Sequence, residues 1–583
     1  MSIPHFANLS ENNEPLSDAI LQEVSELCAI ARNDLLQIDA EIQQLQEKRA
    51  VIQKSIDSYI TILSSIRRLP TDILREIFSH CLDSTRNHIM SAAEAPMLLT
   101  HVCSLWRSVA LTSPDMWAKL HIPLPGDPRI LSRLDSLSDE AMEPFHRTFS
   151  KIMRRRCRAV KEWLDRSGSC FLSLSISYPH YDTYFDGLSG SFRNTKVKVK
   201  SDTFTHEIFQ ILVSFVQRWR SLDLSMPSLI YQQLEARIPS KIMLSNLRTL
   251  RVVLDPNIQS GGNISPPLLL LEAPNMRMFS LNAFRSTSAS LPPHLGGLLT
   301  DLCLDSYISD EDLLKLLQAC HCLVNFQIQL SDLLHINHPS LSVVCLPHLK
   351  KLKIFESIRP SPMLRLITAP SLTFFQYGNP RPSYNVTTGM WFSLSGKKTM
   401  KWFIGNSSST LRTLAITALN FRQEILPLLQ LAVGIKCLHV FEGDEGPNRP
   451  RVEFKFTNLN ILKVEYTSDA LARVLFPNLE VLEVDHPCDH HDDELLQLFT
   501  SRIGAATRGD VSPLKRVKLH LSRREKKDVA EKVLAYARSV GIDMKFEVLY
   551  PPDLPVTLPS KPHYIRHLSP SFLLPDPPFF PSL

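Results

Sequence analysis

This 583-residue chain lacks several things, and each absence narrows what it does. No run of residues approaches the ~18 apolar positions that a membrane-spanning helix needs. The opening "MSIPHFANLSENNEPLSD" carries acids and no apolar core of signal length, so a cytoplasmic or nuclear protein is expected, with no membrane partner. Eleven cysteines, an odd number, are scattered from Cys28 to Cys488 without a CxxC pair and read as reduced thiols. Excess charge is missing too: 64 basic against 59 acidic residues leave +5, too little over this length to announce nucleic acid. There is no glycine-rich phosphate loop, no Gly-x-Ser-x-Gly and no carboxylate pair that stands out, so no catalytic residue and no cofactor are assigned. Glycine itself is scarce, 18 residues against 41 prolines, in a chain that is 44% apolar and 21% charged. That composition suits a folded, proline-punctuated protein. Its length exceeds the roughly 250 to 300 residues of one core, so several units or a repeat array are expected.

What is present begins with a heptad seam. From Leu21 the residues Val24, Cys28, Ala31, Leu35, Ile38, Ile42, Leu45, Arg49, Ile52, Ile56, Tyr59, Leu63 and Ile66 keep a 3-4 spacing with one polar member. The spacing predicts a coiled-coil helix over 17–66, after an irregular segment 1–16. Self-association, or an antiparallel partner helix, follows from it; the alternative is a long helix folded back on its own chain.

At "LPTDILREIF" (69–78) the register is abandoned. Proline suits a first helical turn and spoils an interior one, so a new short helix starts at Pro70, with Ile73, Leu74, Ile77 and Phe78 apolar and Asp72 in its positive first turn. A polar stretch, Asp83 to Glu94, precedes a second amphipathic helix with Leu98, Val102, Leu105, Trp106 and Val109, stopped at Ser113-Pro114. "LPTDILREIFSHCL" followed by "MLLTHVCSLWRSVALTSPDMW" resembles an F-box, the three-helix module that docks Skp-type adaptors of cullin-RING ubiquitin ligases. The resemblance assigns 67–122 to that module and adaptor contact to Leu69, Pro70, Ile73, Leu74, Ile77, Phe78, Leu98, Val102, Cys103, Trp106 and Trp117. Helices this short bury little alone, so Val102 and Trp106 are expected to face inward and the exposed helix start (69–74) to carry the docking. The Asp83–Glu94 insertion departs from the family pattern.

After a proline- and serine-rich linker and the basic helix "KIMRRRCRAVKEWL" (123–165), one pattern recurs over 166–549: L-x-x-L-x-L. It starts at Phe171, Trp219, Leu247, Met276, Leu299, Leu323, Leu349, Leu372, Leu411, Ile435, Leu459, Leu479 and Leu514, many starts lying 20 to 29 residues apart. The last two apolar positions, two apart, share one face of a short strand, and stacking buries that face. The expected class is therefore α/β: a coiled-coil helix, a three-helix F-box, then an irregular leucine-rich-repeat solenoid, or horseshoe. The repeats lack the asparagine or cysteine that regular ones carry after the strand. A proline-rich tail (550–583) reads as extended chain.

"DHPCDHHDDE" (485–494) gathers His486, Cys488, His490 and His491, but matches no structural zinc spacing, and its acids fit a helix first turn; no metal is assigned. "MRRRCRAVK" and "SRREKKD" read as solvated surface ahead of phosphate contact or a nuclear address. The expected function is the substrate receptor of an SCF-type ubiquitin ligase, itself not an enzyme. The F-box would hold the Skp-type adaptor and through it the cullin, and the repeats would hold an unknown target, with Lys351, Lys353, Arg516 and Lys518 as basic candidates for an acidic or phosphorylated one. A scaffold without ubiquitin transfer, and a metal enzyme at the histidine cluster, are the alternatives.

Overall fold

The computed structural model describes residues 16–550 apart from 64, 125–138, 179–202, 256–268, 284–292, 307–309, 331–341, 357–361, 379–393, 418–428, 442–458, 468–469, 489 and 522–527. The expected irregular N-terminus and proline-rich tail, all but their boundary residues, lie outside these, as do most of the linker and of "SRREKKD". The chain divides into two compact units, 1–77 and 78–583, so the expected module 67–122 is split within one of its helices.

The first unit is dominated by helix α1 (Asp18–Leu63), whose 46 residues span about 69 Å at 1.5 Å per residue. Polar pairs four apart, Gln43 to Glu47 (3.1 Å) and Gln53 to Asp57 (2.9 Å), support its solvated sides. It ends at Leu63, short of the expected Ile66, because Ser65–Arg68 tighten into a 3₁₀ turn. Helix α2 (Thr71–His80) then begins directly after Pro70, whose carbonyl accepts the Leu74 amide at 3.1 Å, with Arg75 on Asp72 at 2.8 Å.

The second unit is built on an open 14-stranded sheet with every neighbouring pair parallel and the strands in chain order. It begins at Lys119–Pro123, earlier than the repeat pattern, and ends at Lys545–Leu549. Between these, twelve of the thirteen L-x-x-L-x-L motifs supply one strand each, and their apolar positions fall into register. One row runs Leu222, Leu250, Phe279, Leu302, Phe326, Leu352, Phe375 and onward; the next runs Leu224, Val252, Leu281, Leu304, Ile328, Ile354 and Tyr377. These side chains are buried and the residues between them are not, as expected for strands with one covered face. Helices between strands cover it: Phe403 from Leu394–Ser407 lies 4.9 Å from Phe375, and Phe499 from Asp492–Thr507 lies 4.8 Å from Phe546, ring centroid to centroid.

A repeated backbone device joins the motifs. From Leu247 to Leu479, the residue after the leading apolar position of each strand-forming motif offers its carbonyl to two amides of the next: Arg248 accepts from Arg277 (2.8 Å) and Met278 (3.0 Å), Arg277 from Thr300 and Asp301, and so on to Glu480. Asparagines just before three motifs add side-chain links, Asn246, Asn275 and Asn478 each donating to a carbonyl of the preceding motif at 2.8–2.9 Å. These asparagines stand before the leading apolar residue and not after the strand.

The motif at Leu459 corrects the expectation. Leu459–Leu462 form a 3₁₀ turn outside the sheet, because Cys437–Phe441 already pairs with Val481–Cys488 and leaves no edge. Val464 packs instead against Ala505 and Val511. Arg502, 2% exposed, secures this detour: its guanidinium donates to the carbonyls of Leu462 (2.9 Å), Leu475 (3.1 Å) and Phe476 (2.8 Å). Phe476 is held at φ +53°, a left-handed conformation that costs a bulky residue strain. Burial without a carboxylate lowers the Arg502 pKa to about 10. Arg502→Ala orphans three buried carbonyls and is expected to cost about 3 kcal/mol or more in chemical denaturation; a loss under 1 kcal/mol would show that water replaces the guanidinium.

The first strand is protected along its outer edge by the Asp83–Glu94 insertion, which is folded and not a free polar loop. The His121 amide donates to the His88 carbonyl at 2.7 Å, Ser173 Oγ to Asn87 at 2.9 Å, and Arg86 bridges Asp83 (2.8 Å) and Glu94 (2.6 Å). Asp83 accepts from the Thr85 hydroxyl and amide, which lowers its carboxyl to about 2. Buried His121, its Nδ1 2.8 Å from Ser175 Oγ, is pushed down to about 4 by burial and then by the Arg86 charge. A histidine depressed in the fold stabilises it fully above its unfolded pKa of ~6.5 and loses that contribution as pH falls toward 4. His121→Gln, which cannot titrate, should therefore lose about 2 to 3 kcal/mol less stability than the parent between pH 7.5 and 4.5. Equal losses in paired denaturation curves would exclude His121 as the acid-sensitive group.

Candidate functional site

Two surfaces carry the residues singled out on sequence. The first lies in the segment of F-box resemblance, whose apolar positions separate into a buried and an exposed set. Within 1–77, Leu74 is fully buried, Leu69 half-buried, Pro70 exposed, and Ile73 and Ile77, one turn apart on α2, are 48% and 38% exposed. Leu74, assigned to docking on sequence, therefore has no surface to offer, whereas Ile77, expected to be shared with the core, is partly open.

Within 78–583, the single helix expected from Leu98 to Val109 is two pieces: a 3₁₀ turn at Leu98–His101 and helix α3 (Ser104–Leu111). Cys103, at φ −158° and ψ 172°, breaks the helical path and caps α3, its Sγ accepting the Trp106 amide at 3.5 Å. Arg107 Nε donates to the Thr100 carbonyl at 2.8 Å and joins the two pieces. Phe78 is fully buried, with Trp106 half-buried against it at 4.8 Å between centroids. Val102, expected to face inward, is instead exposed, as are Leu98 and Leu105. Trp117 belongs to the interior: its Nε1 donates to the Ala110 carbonyl at 2.8 Å, and its ring meets Trp163 edge-on at 4.7 Å. That contact ties the segment to the long helix Asp139–Arg166.

The second surface is the face of the sheet away from the core. Lys351 and Lys353 lie on one strand, Arg516 and Lys518 on another five strands away, about 24 Å at 4.8 Å per strand. They are two places, not one patch. Lys353 Nζ sits over the Phe374 ring at 5.9 Å. Arg516 and Lys518 are already paired with Glu483 (3.4 Å) and Asp485 (3.7 Å), and Asp485 also meets His439 at 2.7 Å. Glu480 sits between Lys436 (3.0 Å) and Lys515 (2.6 Å), and those bonds, Lys515 first, lower its pKa. This is a ladder of alternating charge across three strands.

The sequence reading missed a different basic row. The second position of each motif is exposed in most repeats and basic in many: Arg220, Arg248, Arg277, Lys350, Arg412, Lys436 and Lys515. Arg220, Arg248 and Arg277 stand at the starts of three adjacent strands, Arg248 and Arg277 just ahead of theirs, with Arg220 lying over Phe171 at 5.5 Å; Arg248 and Arg277 have no acidic partner among the described residues. The signal was legible in the aligned motifs, "WRSLDL", "LRTLRV" and "MRMFSL", once their second letters are read as a column.

No protein-family model and no characterised protein matches this chain.

The histidine cluster is engaged in other work. Cys488 Sγ, buried, donates to the His520 carbonyl at 3.1 Å. His490 Nε2 accepts the Leu459 amide at 3.1 Å, so its other nitrogen carries the proton toward Glu494 at 3.3 Å. His491 caps Asp492–Thr507, with Glu494 closing a capping box. Among the described residues no three histidines, cysteines or acids converge as metal ligands, and no helix is long and apolar enough to cross a membrane. The basic helix shows Arg154, Arg155, Arg158 and Lys161 exposed, while Met153, Cys157 and Val160 face the core.

The buried and exposed sets are expected to separate by mutation. Trp117→Ala should destabilise the fold by about 3 to 5 kcal/mol, whereas Leu98→Asp and Val102→Asp should change it by less than about 0.5 kcal/mol. Thermal melts of the three variants check this, and a large loss for Val102→Asp would place that side chain in the core.

Proposed function

We propose that this protein is the substrate receptor of an SCF-type ubiquitin ligase, with the segment 67–122 docking a Skp-type adaptor and the sheet presenting a target. The observation that carries the reading is the division of the F-box-like apolar positions. A module whose only task was its own core would bury them all; here Ile73 and Ile77 on α2, and Leu98 and Val102 beyond it, stay open. Exposed apolar side chains at fixed positions of a motif suit a partner surface.

In the same reading the sheet is a divergent leucine-rich-repeat solenoid. Chain-ordered parallel strands, one per motif, with helices and 3₁₀ turns returning the chain, support it. The uncovered face, with Lys351 and Lys353, then holds the target, and the exposed row at the strand starts beside it, Arg220, Arg248 and Arg277, favours an acidic or phosphorylated one. The chain performs no reaction itself. It raises the local concentration of a target lysine near a conjugating enzyme brought by the cullin, in the cytoplasm or nucleus.

Affinity purification of the full chain with recombinant Skp-type adaptor and cullin tests this. The parent is expected to retain both, and Ile73→Asp or Val102→Asp to lose both without a change in thermal stability. Adaptor without cullin would favour the non-catalytic scaffold, and no adaptor at all would overturn the reading.

A further inference from the structure

Helix α1 carries its seam uncovered. Leu35, Ile38, Ile42, Leu45, Ile52, Ile56, Tyr59 and Leu63 are each between 43% and 69% exposed, over a length that an isolated apolar stripe does not leave to water. The heptad places Leu21, Cys28, Leu35, Ile42, Arg49, Ile56 and Leu63 at a, and Val24, Ala31, Ile38, Leu45, Ile52 and Tyr59 at d. The flanking positions then decide what covers it.

A parallel, in-register pair stacks Arg49 on the Arg49 of a second copy in the core layer and sets Asp34 against Asp39 on both sides, two unfavourable features at the middle of the seam. Reversing the second helix removes both. With the twofold between Gln43 and Gln44, a meets d throughout: Ile42 with Leu45, Leu35 with Ile52, Cys28 with Tyr59, Leu63 with Val24, and Arg49 with Ile38. The flanks then bring Glu41 to Lys48 twice and Leu27 to Ile62 twice. Sliding the copies by one heptad one way opposes Glu41 to Glu41 and Asp39 to Asp39, although it brings Asp34 to Lys48; sliding the other way opposes Lys48 to Lys48; and both leave seam residues unmatched. Of these three registers only the full overlap matches the whole seam and opposes no like charges.

We propose that α1 pairs with a second copy of this chain as an antiparallel two-stranded coiled coil centred between Gln43 and Gln44, with Glu41–Lys48 pairs fixing its direction. The two copies leave the rod at opposite ends, their Leu63 residues about 58 Å apart along the axis. The pairing is independent of adaptor binding.

Sedimentation equilibrium of the full chain should give twice its 66.2 kDa mass. Glu41→Lys and Lys48→Glu should each weaken the dimer about tenfold to thirtyfold, turning two attractive pairs repulsive, and the double variant should recover parental affinity. The parallel arrangement pairs Glu41 with Gln46 and Lys48 with Gln53 and predicts no such recovery. Cys28 reports direction separately. In the antiparallel rod the two Cys28 thiols lie about 46 Å apart, so mild oxidation should not join them, whereas Tyr59→Cys should yield a Cys28-to-59 crosslink in peptide mapping. A monomer at all concentrations, a higher oligomer, indifference to both charge reversals, or a dominant Cys28–Cys28 disulfide would each overturn the proposal.

Discussion

Along the sheet, one carbonyl oxygen per motif receives two amides from the next, and the rest of the second unit depends on that contact. It fixes each strand's register at its first residues, before the apolar positions are reached. A one-residue slip would carry every leucine of the strand to the opposite face. With register set at the start, the connection between strands is free to vary in length and content. Hence an eight-residue helix at Ser228–Glu235 and a 16-residue helix at Asp492–Thr507 both deliver their strands to the same alignment.

The same constraint explains the failure at Leu459. A strand joins only if its predecessor presents an open edge, and Val481–Cys488 takes the edge of Cys437–Phe441. The motif "LNILKV" keeps its apolar composition but uses it against Asp492–Thr507, and its backbone polar groups need another partner. Arg502 is that partner. A guanidinium offers several donors in a rigid fork, so one side chain satisfies three carbonyls that no neighbouring strand reaches. The charge it buries is tolerated because those dipoles converge on it.

Periodicity made much of this fold legible, and its blind spots are equally physical. The strands were readable because L-x-x-L-x-L encodes both the leading turn and the strand face, and the helix start at Pro70 because proline excludes the interior. The first strand, "KLHIP", was missed although Trp117, three places before Leu120, completes the pattern as "WAKLHI": that tryptophan was assigned to the close of the F-box-like segment, and the strand is entered from the 3₁₀ turn Pro114–Trp117. Burial of Leu74 and Trp117 and exposure of Val102 were misjudged for a related reason. Hydrophobicity says that a side chain avoids water, while the break at Cys103, a backbone event, decides which way Val102 points. The fold of the Asp83–Glu94 insertion was hidden because its apolar content is small and its anchors are the polar groups of Arg86, Asn87 and His88.

The exposed residues that remain obey two different rules. On the sheet, exposure follows from strand alternation at Glu483, Asp485, Arg516 and Lys518 and from position at the strand starts at Arg220, Arg248 and Arg277; the Glu480 to Lys518 ladder neutralises itself, while the arginine row does not. A self-paired ladder loses as much on meeting an anion as it gains, whereas Arg248 and Arg277 have no acidic partner among the described residues to give up. On α1 the reverse holds. Its outward residues are apolar where alternation imposes nothing, and water makes such a stripe unfavourable along its whole length. Along the stripe charge stands only at Arg49 and at the flanks, where in the proposed coiled coil it would discriminate between directions of approach more than it would add attraction. In the proposed coiled coil the apolar stripe would thus supply the affinity and charge the orientation, while on the sheet the outward charges are what a partner would meet.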